Sequence, residues 1–233
     1  MESTELPVRV DGEGDDLDLE ELHRRGEIHR SQLRRLGKVD DIEKAIESGR
    51  HALDPTPMGH PEKPSGLTSR GIYFQDRFQR LGGLEDMNQS MDYLVRAVEL
   101  TPENDSNLPF RLGKLGWSYI YRFRRLGGVE DIEESIEMFS RALELTPDGH
   151  PDLPDRHANL GVSYGDRYER LGAIDDLQKA IECRTRALEL TPDGHPDLPS
   201  RHANLGASPS HATLARLSSL PTATRTRHPA MPI

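Results

Sequence analysis

The chain has 233 residues, of which 34% are hydrophobic and 5% aromatic, and its mean hydropathy is -0.71. That apolar content excludes one large central core. A total of 40 acids against 30 lysines and arginines leaves a formal charge of -10, which repels phosphate backbones and anionic lipid headgroups, so neither nucleic acid nor a membrane is the expected partner. The lone Cys183 cannot close a disulfide within the chain, and no long apolar run reads as a spanning helix or secretory signal, so the expectation is a soluble, cytoplasmic protein.

Residues 1 to 19 read as an acidic, disordered tail: within the first 20 positions eight acids face one arginine. From residue 20 the chain repeats. The Leu-Gly dipeptide at 36/37 returns at 81/82, 126/127 and 171/172, and Thr-Pro at 56/57 returns at 101/102, 146/147 and 191/192, each step being 45 residues. Residues 141 to 161 and 186 to 206 agree at 20 of 21 positions, differing only at Asp155 and Ser200. Within each unit the apolar spacing is helical, as in Leu160, Tyr164, Tyr168 and Leu171.

Each unit is therefore two helices. Helix A is expected over 20 to 36, 65 to 81, 110 to 126 and 155 to 171, opening after a proline and stopping at the glycine of Leu-Gly. Helix B is expected over 40 to 54, 85 to 100, 130 to 145 and 175 to 190, opening on carboxylates such as Glu85 and Asp86 near its positive end. Helix pairs of this kind bury their apolar faces only against neighbours, which predicts an all-α, right-handed α-solenoid over residues 20 to 206, with four complete repeats and the start of a fifth. Residues 207 to 233 contain no acid and lose the register, and Pro209 would break a fifth helix A, so they read as a disordered tail or a frame-shifted gene product.

Asn159, Leu160 and Gly161 with Tyr164, followed by Ala180, Ala187 and Pro192, resemble a tetratricopeptide repeat (TPR). The resemblance implies that the glycine lets helices A and B approach, that the aromatic three residues later packs between them, and that the B-helix alanines at 52, 97, 142 and 187 admit the next helix. The usual period is about 34 residues, so these are long repeats, similar to arrays in fungal multidomain proteins with caspase-like CHAT or nucleotide-binding domains. Arg25 and His29 stand where that pattern expects Leu and an aromatic, as suits a solvent-facing first repeat.

The resemblance implies a non-enzymatic scaffold for a protein or peptide partner; a regulatory arm of a larger enzyme or signalling protein is the alternative. The concave A-helix face would present Phe110, Lys114, Trp117 and Tyr121 in repeat three, Ser69, Ile72 and Gln75 in repeat two, and Asp155, Asn159 and Val162 in repeat four. Phe110, Lys114, Trp117, Tyr121 and Asn159 are the candidate partner-binding residues. The family's dicarboxylate clamp is not expected, because His23, Thr68 and Gly113 stand at its lysine position.

No catalytic, cofactor or metal site is expected. The loop histidines His150 and His195 match no metal-ligand spacing and read as solvated, and His157 reads as a seam residue in register with Leu67 and Leu112. Cys183 lies mid-helix in register with Met138 and reads as a packing thiol. Glycine pairs at 82/83 and 127/128 read as helix ends. Arginines at 35, 80, 125 and 170, and at 77, 122 and 167, read as partners of the carboxylates that open helix B. An uncapped fourth repeat, leaving Leu177, Ile181 and Leu188 partly open, predicts self-association.

Overall fold

The computed structural model describes residues 19–36, 39–54 and 56–206, and the expectations for the two tails lie outside them. The described residues form helices α1 (Leu19–Leu36), α2 (Val39–Leu53), α3 (Lys63–Leu81), α4 (Leu84–Glu99), α5 (Leu108–Leu126), α6 (Val129–Glu144), α7 (Leu153–Leu171), α8 (Ile174–Glu189) and α9 (Leu198–Gly206), with no strand among them. Odd-numbered helices are the A helices and even-numbered ones the B helices. Each helix packs against the next, and successive A helices also touch one another (α1 with α3, α3 with α5, α5 with α7). The A helices therefore lie on the inner side of the stack, as expected.

The A helices begin two residues earlier than the prolines suggest. Pro64, Pro109 and Pro154 lie inside the first turn instead of ahead of it, where a missing N–H breaks no intrahelical bond. At the other end Gly82, Gly127 and Gly172 adopt left-handed φ values of 74°, 78° and 70°, and their N–H groups bond to Phe78, Phe123 and Tyr168 carbonyls. The second glycine of the pair behaves differently. Gly83 and Gly128 are the extended N-cap residues of α4 and α6, so each pair ends one helix and starts the next.

Hydroxyls close the B helices. Thr56, Thr101, Thr146 and Thr191 are buried, and each donates from Oγ1 to the carbonyl of Ala52, Ala97, Ala142 or Ala187 at 2.5–2.7 Å, satisfying an acceptor that the helix end leaves without an intrahelical donor. The exposed loop histidines also have a task that their spacing did not suggest. Nδ1 of His60, His150 and His195 accepts the backbone N–H of Glu62, Asp152 and Asp197 at 3.1–3.2 Å, and Asp105 serves Asn107 in the same way at 2.8 Å. These rings order the turn into helix A.

Glycines bring A and B together. A Cβ added at Gly71 would stand 2.7 Å from Leu94 Cγ, and one at Gly116 would stand 2.8 Å from the Phe139 ring. Ala52, Ala97, Ala142 and Ala187 are buried on the facing helices. Two clusters then join the later repeats: Leu94, Leu108, Leu112, Leu115 and Met138 between the second and third pairs, and Ile120, Phe123, Ile132, Phe139 and Leu160 between the third and fourth. Each such side chain, fully buried, contributes about 1.5–3 kcal/mol.

The ends differ from expectation. Leu177 and Ile181 are only 2% and 4% exposed, because they occupy the register by which Met87, Met91 and Ile132 face their own A helix. Leu188, the third residue of that face, is half-buried, and α9 packs against α8. At the first repeat Arg25 bonds Glu21 at 2.9 Å and His29 approaches Gln32 at 3.3 Å, both half-buried, so polar side chains finish the stack on that side.

Candidate protein-interaction groove

Four of the five candidate partner-binding residues come from α5, which carries Arg111, Lys114, Arg122, Arg124 and Arg125 and no carboxylate. Its partner α6 carries six acids against Arg141 alone. Part of this segregation is consumed inside the pairs. Arg77, Arg122 and Arg167 reach the buried Asp86, Asp131 and Asp176 of the following B helix at 2.5–2.6 Å, the pairing that the sequence suggested. The other series, Arg35, Arg80, Arg125 and Arg170, stands exposed on the last turns of the A helices, where a cation complements the helix dipole.

Three hollows follow one another along the A-helix face. The first lies among α1, α3 and α5 and is lined by Ser69, Ile72 and Phe110 among others. The second contains Gln75, Arg80, Lys114, Trp117 and Tyr121, and its Arg30 and Asp76 are joined at 2.6 Å. The third, about 990 Å³, runs from Trp117 past Asn159 and Val162 to Arg184 and Arg201. The five residues thus share one face but not one pocket. Phe110 belongs to the first hollow, Lys114 and Tyr121 to the second and Asn159 to the third, while Trp117 is the wall between the last two.

Trp117 is half-buried. Its ring lies 5.7 Å from Tyr121 and meets Phe139 edge-on at 5.9 Å, so one edge is core and the rest faces the groove. Burial pushes the Tyr121 hydroxyl above its ordinary range. Lys114 curls back over the exposed Phe110 ring, with Nζ 5.0 Å from its centre. Ile72 and Gln75, expected on the groove, are buried in it, and Gln75 donates to the buried Ser118 at 3.0 Å. Asp155 stands at the rim and accepts from Arg201 at 2.6 Å. Sequence reasoning missed the rim arginines Arg184 and Arg201: Arg201 recurs as Arg156 and Arg111 one and two repeats earlier, whereas Arg184 stands where Phe139 and Leu94 stand and left no periodic signal.

The remaining reactive side chains are packing groups. Burial, with Arg186 adding, holds the half-buried His157 ring below its usual range. Cys183 Cβ lies near Gly161, and burial pushes the thiol up to about 11, a protonated and unreactive state. Among the described residues no cluster of three His, Cys, Asp or Glu side chains is placed to hold a metal ion, and no helix is long and apolar enough to cross a membrane.

A family profile described as Tetratricopeptide repeat matches residues 158–197. No curated protein matches the sequence. Among solved structures, the fold is similar to the nearly identical TPR-like repeats of a kinesin light chain-type protein of Podosopora anserina, at 12% identity over 82% of this chain and 86% of that one, with a TM-score of 0.61. It is also similar to BtubC (BKLC) from P. vanneervenii, at 17% identity over 93% and 94% of the two chains, with a TM-score of 0.55. Residues 158–197 thus match the tetratricopeptide-repeat profile, and the stacked helix pairs have the fold of a TPR-like helical solenoid.

Proposed function

We propose that the chain is a non-catalytic scaffold whose A-helix groove holds an extended or helical peptide carrying an acidic group. TPR-like folds generally mediate contacts between proteins, and the groove of this one has its own chemistry. The observation that carries the reading is Trp117 standing between two hollows on a helix with five cations and no acid, in a protein of net charge -10. Trp117 and Tyr121 anchor apolar side chains, Lys114 and Arg80 orient the acid, and Asn159 contacts the peptide backbone one repeat further on.

A peptide array probed with the wild type, Trp117→Ala and Lys114→Glu tests this. Trp117→Ala is expected to weaken the captured peptides by about 1–2 kcal/mol while leaving the helical signal intact. Lys114→Glu slows association, most strongly for acidic peptides and at low salt. Equal capture by all three proteins rejects the groove as the binding surface.

A further inference from the structure

At three neighbouring positions the second helix pair departs from the third. Where the third places Leu108, Leu115 and Met138 in one apolar cluster, the second has Lys63, Arg70 and Tyr93 at the same steps of the repeat. With Arg96 these line a hollow of about 290 Å³ among α2, α3 and α4, backed by Leu53 and Leu67. A fourth change goes the same way. Arg141, the counterpart of Arg96, is matched by Glu103 at 3.2 Å, whereas Met58 occupies the glutamate's position beside Arg96 and offers only its sulfur at 3.6 Å. Two cations are gained and an acid is lost at one spot.

The cations are held in place and only partly neutralised. The Arg70 guanidinium lies 4.8 Å over the Tyr93 ring, which stacks on Phe74 at 5.7 Å, so its plane is fixed. Its Nε is buried with no hydrogen-bond partner. Lys63 Nζ donates to the Leu53 and Thr56 carbonyls at 2.9 and 2.6 Å, leaving one N–H. The single acid of the hollow, Asp54, is mostly exposed and divided between Arg70 at 3.4 Å and Arg50 at 3.5 Å. Three cations thus converge on space bordered by one shared carboxylate.

We infer that this hollow binds a phosphate monoester dianion, with Arg70 and Arg96 as planar forks and Lys63 as a point charge. The dianion completes the charge balance that Glu103 supplies one repeat later. The site lies outside the concave groove, and the inference stands independently of what the groove holds. The same chemistry is offered by a phosphorylated side chain of a partner and by a free phosphorylated metabolite.

Titration of the full chain with inorganic phosphate, followed by amide chemical shifts and calorimetry against chloride at equal ionic strength, tests the site. Saturable shifts are expected around Arg70, Tyr93 and Arg96. Met58→Glu, which restores the acid of the next repeat at an exposed position, and Arg96→Gln are each expected to weaken phosphate about tenfold or more while melting like the wild type in its absence. Lys179→Gln, at an exposed position on α8, leaves phosphate binding unchanged. A phosphoserine peptide that binds more tightly than inorganic phosphate identifies a partner's side chain as the source, and equal binding identifies a free phosphate monoester. Shifts that chloride reproduces, or that survive both Met58→Glu and Arg96→Gln, overturn the inference.

Discussion

The ring of Tyr73 lies over Gly49, 3.2 Å from where a Cβ on that residue would stand, and its hydroxyl reaches past Gly26 to Glu27 Oε1 at 3.1 Å. One repeat later the bulk is on the other side. Ser118 stands in the place of Tyr73 and Leu94 in the place of Gly49, and a repeat further on the residues are Ser163 and Phe139. The small residues there are tied by hydroxyls: Ser90 to Ser118 at 3.3 Å and Ser135 to Ser163 at 2.8 Å, all fully buried. The first joint of the stack is thus filled from the second repeat, and the later joints from the preceding B helix.

This exchange of volume is testable as a cycle. Tyr73→Ser is expected to cost about 3–5 kcal/mol, the range for emptying a buried aromatic site, and Gly49→Leu alone to clash with the ring. Gly49→Leu combined with Tyr73→Ser reproduces the pairing of Leu94 with Ser118, so the double variant is expected to be more stable in urea than the two single losses add up to. Strict additivity rejects the exchange.

The A/B approach has its own gradation. A Cβ at Gly116 meets the Phe139 ring at 2.8 Å, whereas one at Gly161 meets Arg184 Cγ at 3.0 Å and Cys183 Cβ at 3.2 Å. A long Arg184 chain yields more easily than a wedged ring. Gly161→Leu is expected to destabilise by about 1–3 kcal/mol and Gly116→Leu by more. Thermal melts of the two variants give the order, and a Gly161→Leu protein that melts like the wild type contradicts the close contact.

His157 makes stability depend on pH in a definite direction. Burial holds its pKa below the ordinary 6.5, so as pH falls through 6.5 the unfolded chain takes up a proton that the folded chain resists. Stability therefore declines below about pH 6.5 and reaches its full loss beneath the folded pKa. His157→Leu, the residue type at 67 and 112, removes this component. The drop in melting temperature between about pH 7.5 and about pH 5.5 is expected to be smaller in the variant than in the wild type.

Cys183 is expected to react slowly with a maleimide or disulfide reagent in the folded protein, because its thiol is half-buried and pushed up to about 11. Unfolding in urea restores ordinary reactivity. Fast labelling of the native chain at neutral pH contradicts the packing role.

Helix limits, glycine caps and the Arg77, Arg122 and Arg167 pairs were legible in the sequence because each rests on local chemistry repeated every 45 residues. What escaped was chemistry at positions where one repeat departs from the others. Tyr73 opposite Gly49, and Lys63 with Arg70 in place of two leucines, look like isolated polar or bulky choices until the stack brings them together. The loop histidines are solvated as read, and only their backbone contact escaped, because an N–H accepted from two residues away is loop geometry that helical spacing does not record. Trp117 was read as a groove residue, and it packs as well, since a half-buried ring on a curved face borders core and groove at once.

The junction from α6 to α7 and that from α8 to α9 are built from sequences that agree at 20 of 21 positions. Thr146 and Thr191, His150 and His195, and Arg156 and Arg201 sit at matching steps in the two. A cut after Asp155 joined to Arg201 would remove 45 residues and recreate the same turn as far as Gly206. The turn into helix A is consequently an interchangeable joint: an exchange between its two copies shifts the chain by one whole 45-residue unit and leaves the turn's own sequence unaltered.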